Sequence, residues 1–515
     1  MKKQPTAPSV AEFYHEQTVY SPQTISALNP DLSARPQPFK QYLSEQSVDL
    51  RPMLGQQEVA DSGDGEVASS DESLLGRISR LLYFTCGITH IQETPQGPIY
   101  RRAAPSAGAL YPSEVYLAAR DADGLTDGIH SYQAANHTLV PVLEGDFGLD
   151  IEESCFRHAA TLRARVILMV TAMFSRSSWR YLERAYRRIL LDSGHVLGNI
   201  VAYAPHERFD AVTVAGFCDD ALNQLLFLDS REEAAFLVVP LIERGESRRT
   251  RINSAFPLPS RRHVHEADRL SDQGVMQLLH ERSSIVPDQK LTRGRRSPSD
   301  TGRNRLGDES VSTIDLPETA RLSHLPDVIV QRRSTRKFAC EGISLSKLGG
   351  ILHYAYAPAR LYYDFERGVR VQDCCFLDPT ILDTIVLIHQ VDGVPPGIYD
   401  LDPRDMTLTT RREGEFREAF GYACLGQELG RDAAAVVIHI ANLERAVKRY
   451  GDRAYRYLHL DAGHLGQRMN LAATFSRIGV SGIAGFFDEE LAALLELPKS
   501  CITVYITALG QPERE

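Results

Sequence analysis

Two short segments carry the residue types best suited to chemistry. Arg332-Arg333-Ser334-Thr335-Arg336-Lys337-Phe338 sets three guanidinium groups around one hydroxyl. Forked, charge-assisted donors of this kind suit a phosphate dianion, with Ser334 as a further donor. A solvated basic turn ahead of a helix fits the same residues equally well. The second segment is Pro105-Ser106-Ala107-Gly108-Ala109-Leu110-Tyr111-Pro112. Small residues let backbone approach a planar ligand, and Gly108 can adopt a conformation other residues avoid. A tight turn before a strand explains it about as well. Ala484-Gly485-Phe486 and Ala215-Gly216-Phe217 repeat the theme, as close ligand approach or as close packing of elements.

The elements that must position these segments are duplicated. RAYRRILLDSGHVLGNIVAYA, around His195, matches RAYRYLHLDAGHLGQRMNLAA, around His464, at an offset of 464 − 195 = 269. The same offset aligns Gly128-Ile129 with Gly397-Ile398, Leu139 with Leu408, and Ala215–Asp219 with Ala484–Asp488. The register holds from Tyr111 to Leu228, so the chain contains two copies of one domain. RRSTRKF stands only in the second copy and PSAGALYP only in the first. At the offset, PSAGALYP aligns with Cys374–Ile381, and copy one is acidic and of low complexity ahead of Leu81.

The predicted organisation is a partly flexible lead-in over 1–73 and a first domain over 74–256. A flexible linker follows over 257–315, with one short helix near Val275–Leu279, and then a second domain over 316–515. The lead-in contains the acidic stretch VADSGDGEVASSDES, and the linker is rich in Arg, Ser, Asp and Gly. Short apolar, β-branched runs predict strands at Glu114–Ala119, Val166–Thr171 and Ala235–Leu241, and at Thr384–Ile388, Ala435–Ile440 and Ile502–Ala508. A long helix precedes each AGF segment. In copy two, Tyr455, Leu458, Ala462, Leu465 and Met469 fall on one of its faces. A short helix (Leu222–Leu226, Leu491–Leu495) follows each AGF. Strands and helices in this order give an α+β domain.

Composition narrows the function. A formal net charge of −10 argues against a general nucleic-acid or membrane-surface binder. The basic run Arg293–Arg296 is diluted by nearby acids. The eight cysteines form no CxxC pair, and the chain has no HExxH pattern, so no metal is expected. No apolar run reaches the roughly 20 residues of a membrane helix. The start, MKKQPTAPS, lacks the apolar core of a secretion signal, and the thiols read as reduced and cytoplasmic.

Taken together, these residues resemble the nitroreductase-like FMN flavoproteins. The closest match within that family is the SagB-type branch, the azoline dehydrogenases of ribosomal peptide natural-product biosynthesis. RRSTRKF resembles the family's FMN-phosphate motif. RAAPSAGALYPSEVYL resembles the branch's RxxPSAGALYPxExY signature. GIHSYQ and GIYDLD resemble its GLYxYD turn, and GIAGFFD its loop near the flavin. The resemblance covers both copies but not the lead-in or linker. Family members pair as homodimers whose sites draw on both subunits, so it implies two tandem copies forming an intramolecular pseudo-dimer. Arg332, Arg333, Ser334, Arg336, Ala484 and Gly485 of copy two would then bind one FMN with Arg102, Pro105, Ser106, Ala107 and Gly108 of copy one. The second site would be broken.

The branch also carries a Lys-Tyr pair before the long helix, implied to act as base on the azoline carbon. This chain departs from it: copy one reads Trp179-Arg180-Tyr181 and copy two Lys448-Arg449-Tyr450. Arg stays protonated, so Arg180 is a poor base. Tyr181 is the preferred catalytic candidate, with Tyr450 facing the degenerate site and Lys448 one position out of register. Both tyrosines also fit as partly buried aromatics at a helix start. His195 and His464 read as core histidines hydrogen-bonded at the interface rather than as ligands. The resemblance implies oxidation of peptide-borne thiazolines or oxazolines to thiazoles or oxazoles. Its implied partners are a precursor peptide and a cyclodehydratase, and two chains could associate further. The alternatives are an NAD(P)H-dependent flavin reductase of nitro, enone or dehydroamino acid substrates, and a scaffold that has lost catalysis.

Overall fold

The computed structural model describes residues 8–26, 35–54 except 43 and 45, 72–245 except 96, 274–286, 312–318, 322–363 and 375–513. The acidic stretch before Glu72, the basic run Arg293–Arg296 and Cys374 lie outside the described residues. The strands of copy one are β1 (Val48–Asp49), β2 (Ile88–Gln92), β3 (Ile99–Arg102), β4 (Ser113–Ala119), β5 (Gly128–Gln133), β6 (Thr138–Glu144), β7 (Val166–Met173), β8 (Phe209–Ala211) and β9 (Glu233–Glu243). Those of copy two are β10 (Thr313–Asp315), β11 (Asp383–Ile388), β12 (Gly397–Asp402), β13 (Thr407–Glu413), β14 (Ala435–Asn442), β15 (Gly479–Ile483) and β16 (Cys501–Gly510). The two sheets share one topology, β1-β6-β5-β4-β7-β9-β8 and β10-β13-β12-β11-β14-β16-β15. The central strands are buried along both faces, which is why they read as continuous apolar runs rather than alternating ones.

Three features were not read from the sequence. GIHSYQ and GIYDLD, likened to a turn, are the interior strands β5 and β12. The hairpin β2–β3 leads into PSAGALYP, whereas the positions 269 residues after β2 continue a helix, Leu345–Tyr363. The long helices are buried on every side, not on one face. They are wedged between the two domains, and bury charged and polar residues such as Arg187, Asp192, Arg456 and Asp461 along with apolar ones.

We label α1 Val10–Gln17, α2 Ala185–Tyr203, α3 Val275–Ser283 and α4 Ala454–Phe475. Helices α2 and α4 cross at Gly194 and Gly463. A Cβ on Gly194 would lie 2.2 Å from the Leu460 carbonyl oxygen, and one on Gly463 would lie 2.3 Å from that of Leu191. Only glycine permits this approach. Gly194→Ala should therefore lower stability by about 2 kcal/mol, read as a fall in Tm; an unchanged Tm would show that the crossing can relax.

Helices α1 and α3 reveal a second repeat that the sequence reading missed. VAEFYHEQTVY (Val10–Tyr20) and VMQLLHERSSI (Val275–Ile285) align at 280 − 15 = 265. Their contacts are reciprocal. His15 Nδ1 lies 3.1 Å from the Tyr455 hydroxyl, and His280 Nδ1 lies 3.0 Å from that of Tyr186. Asp452 accepts the Ala11 N–H, and Glu183 accepts the Met276 N–H. Each segment ends on an interdomain ion cluster. Arg184 and Arg187 meet Asp488 at 2.6 and 2.9 Å, beside Tyr20. Arg453 and Arg456 meet Asp219 at 2.6 and 2.5 Å, beside Ile285. All four arginines and both aspartates are buried. Matched surfaces exchanging matched contacts are what a two-fold dimer interface shows; here both halves sit in one chain.

Candidate functional site

RRSTRKF follows the helix Leu325–Gln331 and is fixed by its own residues. Thr335 exchanges two hydrogen bonds with Val480 of β15, and Phe338 packs at Gly479 and Gly510. This turns Arg332, 3% exposed, across the domain boundary. Its Nε donates to the Ala103 carbonyl (3.2 Å) and Nη2 reaches that of Arg102 (3.5 Å), while Nη1 has no partner among the described residues. Burial, reinforced by Arg333, Arg336 and Arg101, lowers the Arg332 pKa to about 10. Arg333 donates to the Val330 and Arg332 carbonyls, Ser334 is half-buried, and Arg336 is exposed. Cations that depress one another, with a buried donor unmet, fit an anionic group such as a flavin phosphate. Arg101 joins the cluster from copy one; sequence spacing gave no sign of it.

PSAGALYP is held from beneath. The Ser106 hydroxyl and the Ala107 N–H both donate to Asp192 of α2, at 2.6 and 3.1 Å, and Ser106 Oγ accepts the Tyr111 N–H. Pro105 is half-buried at the start of this turn. Gly108 has φ +64°, and a Cβ there would lie 2.7 Å from Tyr181 Oη and 3.3 Å from Arg180 Nη1. The structure thus joins Tyr181 and Arg180 to the loop. Tyr181 is half-buried and its pKa is raised by burial. Arg188 stacks on Tyr181, 3.9 Å from the ring centroid, and its Nη2 lies 3.6 Å from a Cβ placed on Gly485. Ala484 and Gly485 of copy two are half-buried there. Arg102 has a framework role. Buried over Phe39 and Tyr111, it offers its carbonyl to Arg332.

Asp192 was not singled out from sequence, although it recurs as Asp461. Asp461 accepts the Leu377 and Asp378 N–H groups in the equivalent loop of copy two. Burial raises Asp192 to about 7 and Asp461 to about 8. Because both copies keep this grip, it holds the loop and is not specific to one site. A carboxyl raised above its unfolded value of 3.8 adds stability in its protonated form, and that contribution fades as pH rises from about 4 to 7. Asp192→Asn, which mimics the protonated acid, should flatten the fall of Tm across that window; an unchanged slope would place the titration elsewhere.

The equivalent place at the other end of the interface is filled by the protein itself. Tyr450, 7% exposed, donates to Asp378 at 2.5 Å, and Arg449 pairs with Asp378 at 2.9 Å. Arg453 donates twice to the Ala215 carbonyl of the AGF loop, and the Tyr457 hydroxyl approaches the same oxygen at 3.4 Å. Phe376 stacks on His464, with 4.1 Å between centroids. On the intact side Arg184 makes the bonds that match those of Arg453 to the Ser283 carbonyl and Asp219, to the Thr18 carbonyl and Asp488, but its Nε and Nη2 have no partner among the described residues. Lys448 is exposed on the outer face of its helix. His195 is a core histidine: Nδ1 donates to the Leu191 carbonyl, so Nε2 accepts from Tyr505, 3.2 Å away. His464 has no hydrogen bond among the described residues, in contrast to the expectation. The partner it would match is Phe236, which lacks the hydroxyl of Tyr505.

Among the described residues no cluster of His, Cys, Asp or Glu could hold a metal ion, and no helix is long and apolar enough to cross a membrane.

Comparison with known proteins agrees with the duplicated fold. The nitroreductase family pattern matches residues 76–241 and again 329–511. A crystal structure from Anabaena variabilis, titled as a nitroreductase, superposes with a TM-score of 0.86 at 35% identity, over 98% of this chain and all of that one. A protein of Methanocaldococcus jannaschii named as a nitroreductase is 31% identical over 36% of this chain and 89% of its own length. The microcin B17-processing protein McbC of Escherichia coli is 27% identical over 28% of this chain and 56% of its own. The trifolitoxin operon protein TfxC of Rhizobium leguminosarum is 24% identical over 35% of this chain and 54% of its own. The chain thus spans about half the length of these two relatives, whose likeness supports the SagB-type branch. With the pattern present twice and the likeness to a solved structure running end to end, the chain belongs to the nitroreductase family, as two nitroreductase domains fused in tandem.

Proposed function

We propose that this oxidoreductase binds one FMN at the intact site and oxidises peptide-borne thiazolines or oxazolines to thiazoles or oxazoles. The observation that carries the proposal is the interdomain contact of Arg332 with Arg102 and Ala103. It brings the arginine cluster of one copy to the PSAG loop of the other, with Tyr181 over Gly108. FMN, when bound, would supply the two-electron acceptor. The chain's residues would hold its phosphate (Arg332, Arg333, Ser334, Arg336), leave room for its ring (Gly108, Gly485) and present a phenol at the reacting face. Tyr181 is positioned to relay a proton; Arg180 remains charged and would help to orient substrate. The names of the microcin- and trifolitoxin-related proteins support a peptide substrate. A cyclodehydratase in the cytoplasm, making the azoline rings, is the partner such a step requires.

The test is mass spectrometry of an azoline peptide incubated with flavin-loaded protein. Loss of about 2 Da per ring is expected, the mass of two hydrogens. The second reading, an NAD(P)H-dependent reductase, is favoured by Arg180 standing beside Tyr181 where the branch has lysine. Rapid bleaching of the flavin by NAD(P)H without peptide, and no mass loss, would select it.

A further inference from the structure

Comparing the intact site with its filled twin isolates residues that the shared fold does not require. Beyond the PSAG loop itself, further positions change chemistry between the halves. Arg188 has Tyr457 as its counterpart at offset 269, Tyr505 has Phe236, and Tyr20 has Ile285 at offset 265. Arg188 is the one that adds charge. It is 5% exposed, and its guanidinium has no ion pair or hydrogen bond among the described residues. A carboxylate stands nearby, Asp192, but it is engaged by Ser106 and Ala107. Asp488 is engaged by Arg184 and Arg187. Tyr181 and Tyr20 flank Arg188 with their rings, at 3.9 and 5.7 Å, which orients the guanidinium without satisfying its donors. Its Nη2 lies toward Gly485, 3.6 Å from a Cβ placed there.

A buried cation without an acceptor is destabilising unless a ligand completes it. At the filled end, Tyr457 in the same position closes on the Ala215 carbonyl and leaves no such demand. We infer that Arg188 is a specificity-determining residue of the intact site and takes a carboxylate of the substrate. This inference rests on the reading of that site as the reaction centre. It narrows the substrate to molecules presenting an acid beside the reacting group: for a peptide, an acidic side chain or the C-terminal carboxylate. The electron-rich oxygens of the flavin ring share the same chemistry, so the experiment must separate the two.

Trp179 is the one tryptophan of the chain and lies two residues before Tyr181. Its fluorescence therefore reports on this site with or without cofactor. Full-length protein, with and without added FMN, would be titrated with benzoate and with its neutral analogue benzamide. Benzoate is expected to bind at least about tenfold more tightly, with or without FMN; that factor corresponds to about 1.4 kcal/mol. Arg188→Tyr, which installs the twin's residue, should erase the preference, and Arg188→Lys should keep part of it. Equal affinities of the wild-type protein for the two probes would overturn the inference, whatever the variants do. So would an Arg188→Tyr protein that loses FMN but keeps the benzoate preference, because Arg188 would then serve the cofactor. Failure of the wild-type protein to bind FMN would count against the proposed function alone.

Discussion

Arg333→Ala and Gly108→Val should each strip the same flavin from the protein, although the two residues lie in different copies. Wild-type protein is expected to carry close to one FMN per chain, measured as flavin absorbance against protein concentration. Arg333→Ala removes a cation from a cluster whose members Arg332, Arg336 and Arg101 already repel one another. Loss of one or two charge-assisted bonds should weaken binding by about 10- to 100-fold. Gly108→Val acts by shape. At φ +64° a β-branched residue is strained, and its Cβ would press on Tyr181 and Arg180. Either variant retaining wild-type flavin content, or a wild-type ratio near two, would refute a single shared site.

The second large effect concerns the buried ion clusters. Asp219→Asn and Asp488→Asn each leave two buried arginines without their carboxylate, which should cost about 3–5 kcal/mol and appear as a large fall in Tm. Burial alone would raise these carboxyl pKa values, but Arg453 and Arg456, or Arg184 and Arg187, outweigh it and hold both below the usual range. Groups depressed in this way stabilise the fold above the unfolded value of 3.8, and the effect is lost as pH falls through the folded pKa. Both variants should therefore lack part of the wild-type acid transition. They should differ in flavin content. Asp488 lies beside Tyr20, Arg184 and Phe486 at the intact end, whereas Asp219 serves the filled one. Below its Tm, Asp219→Asn should keep its flavin while Asp488→Asn loses much of it. Equal losses would mean that the two ends are not functionally distinct.

Much of this arrangement was legible in the sequence, because the repeat at 269 aligned whole elements and exposed what each copy lacked. The central strands announced themselves as apolar runs, and the long helices by their helical spacing. The meeting of RRSTRKF with PSAGALYP followed from the resemblance, and the structure supplies the Arg332 contact. What stayed hidden has physical causes. β5 and β12 begin with glycine; β5 buries His, Ser and Gln, and β12 interleaves the half-buried Asp400 and Asp402, so they lack a strand's apolar signature. The clamp segments α1 and α3 share few identities and repeat at 265 rather than 269, out of step with the register being followed. Asp192 bonds a loop 86 residues away, and nothing in LDSGH marks it as a loop anchor. Arg188 looked like one more arginine in RAYRR; only its burial without an acceptor distinguishes it.

The clamps also change what the long connection is. α3 stands to copy two as α1 stands to copy one, so the duplicated unit was a clamp together with its domain. In a homodimer encoded by one gene, each substitution is written into both active sites at once, and a residue that improves one must be tolerated by the other. Joining the units end to end lifts that restriction. Arg188 can coexist with Tyr457, and Tyr505 with Phe236, because each is inherited separately. One half of the molecule is thereby free to specialise for a substrate while the other retains only what the shared interface demands.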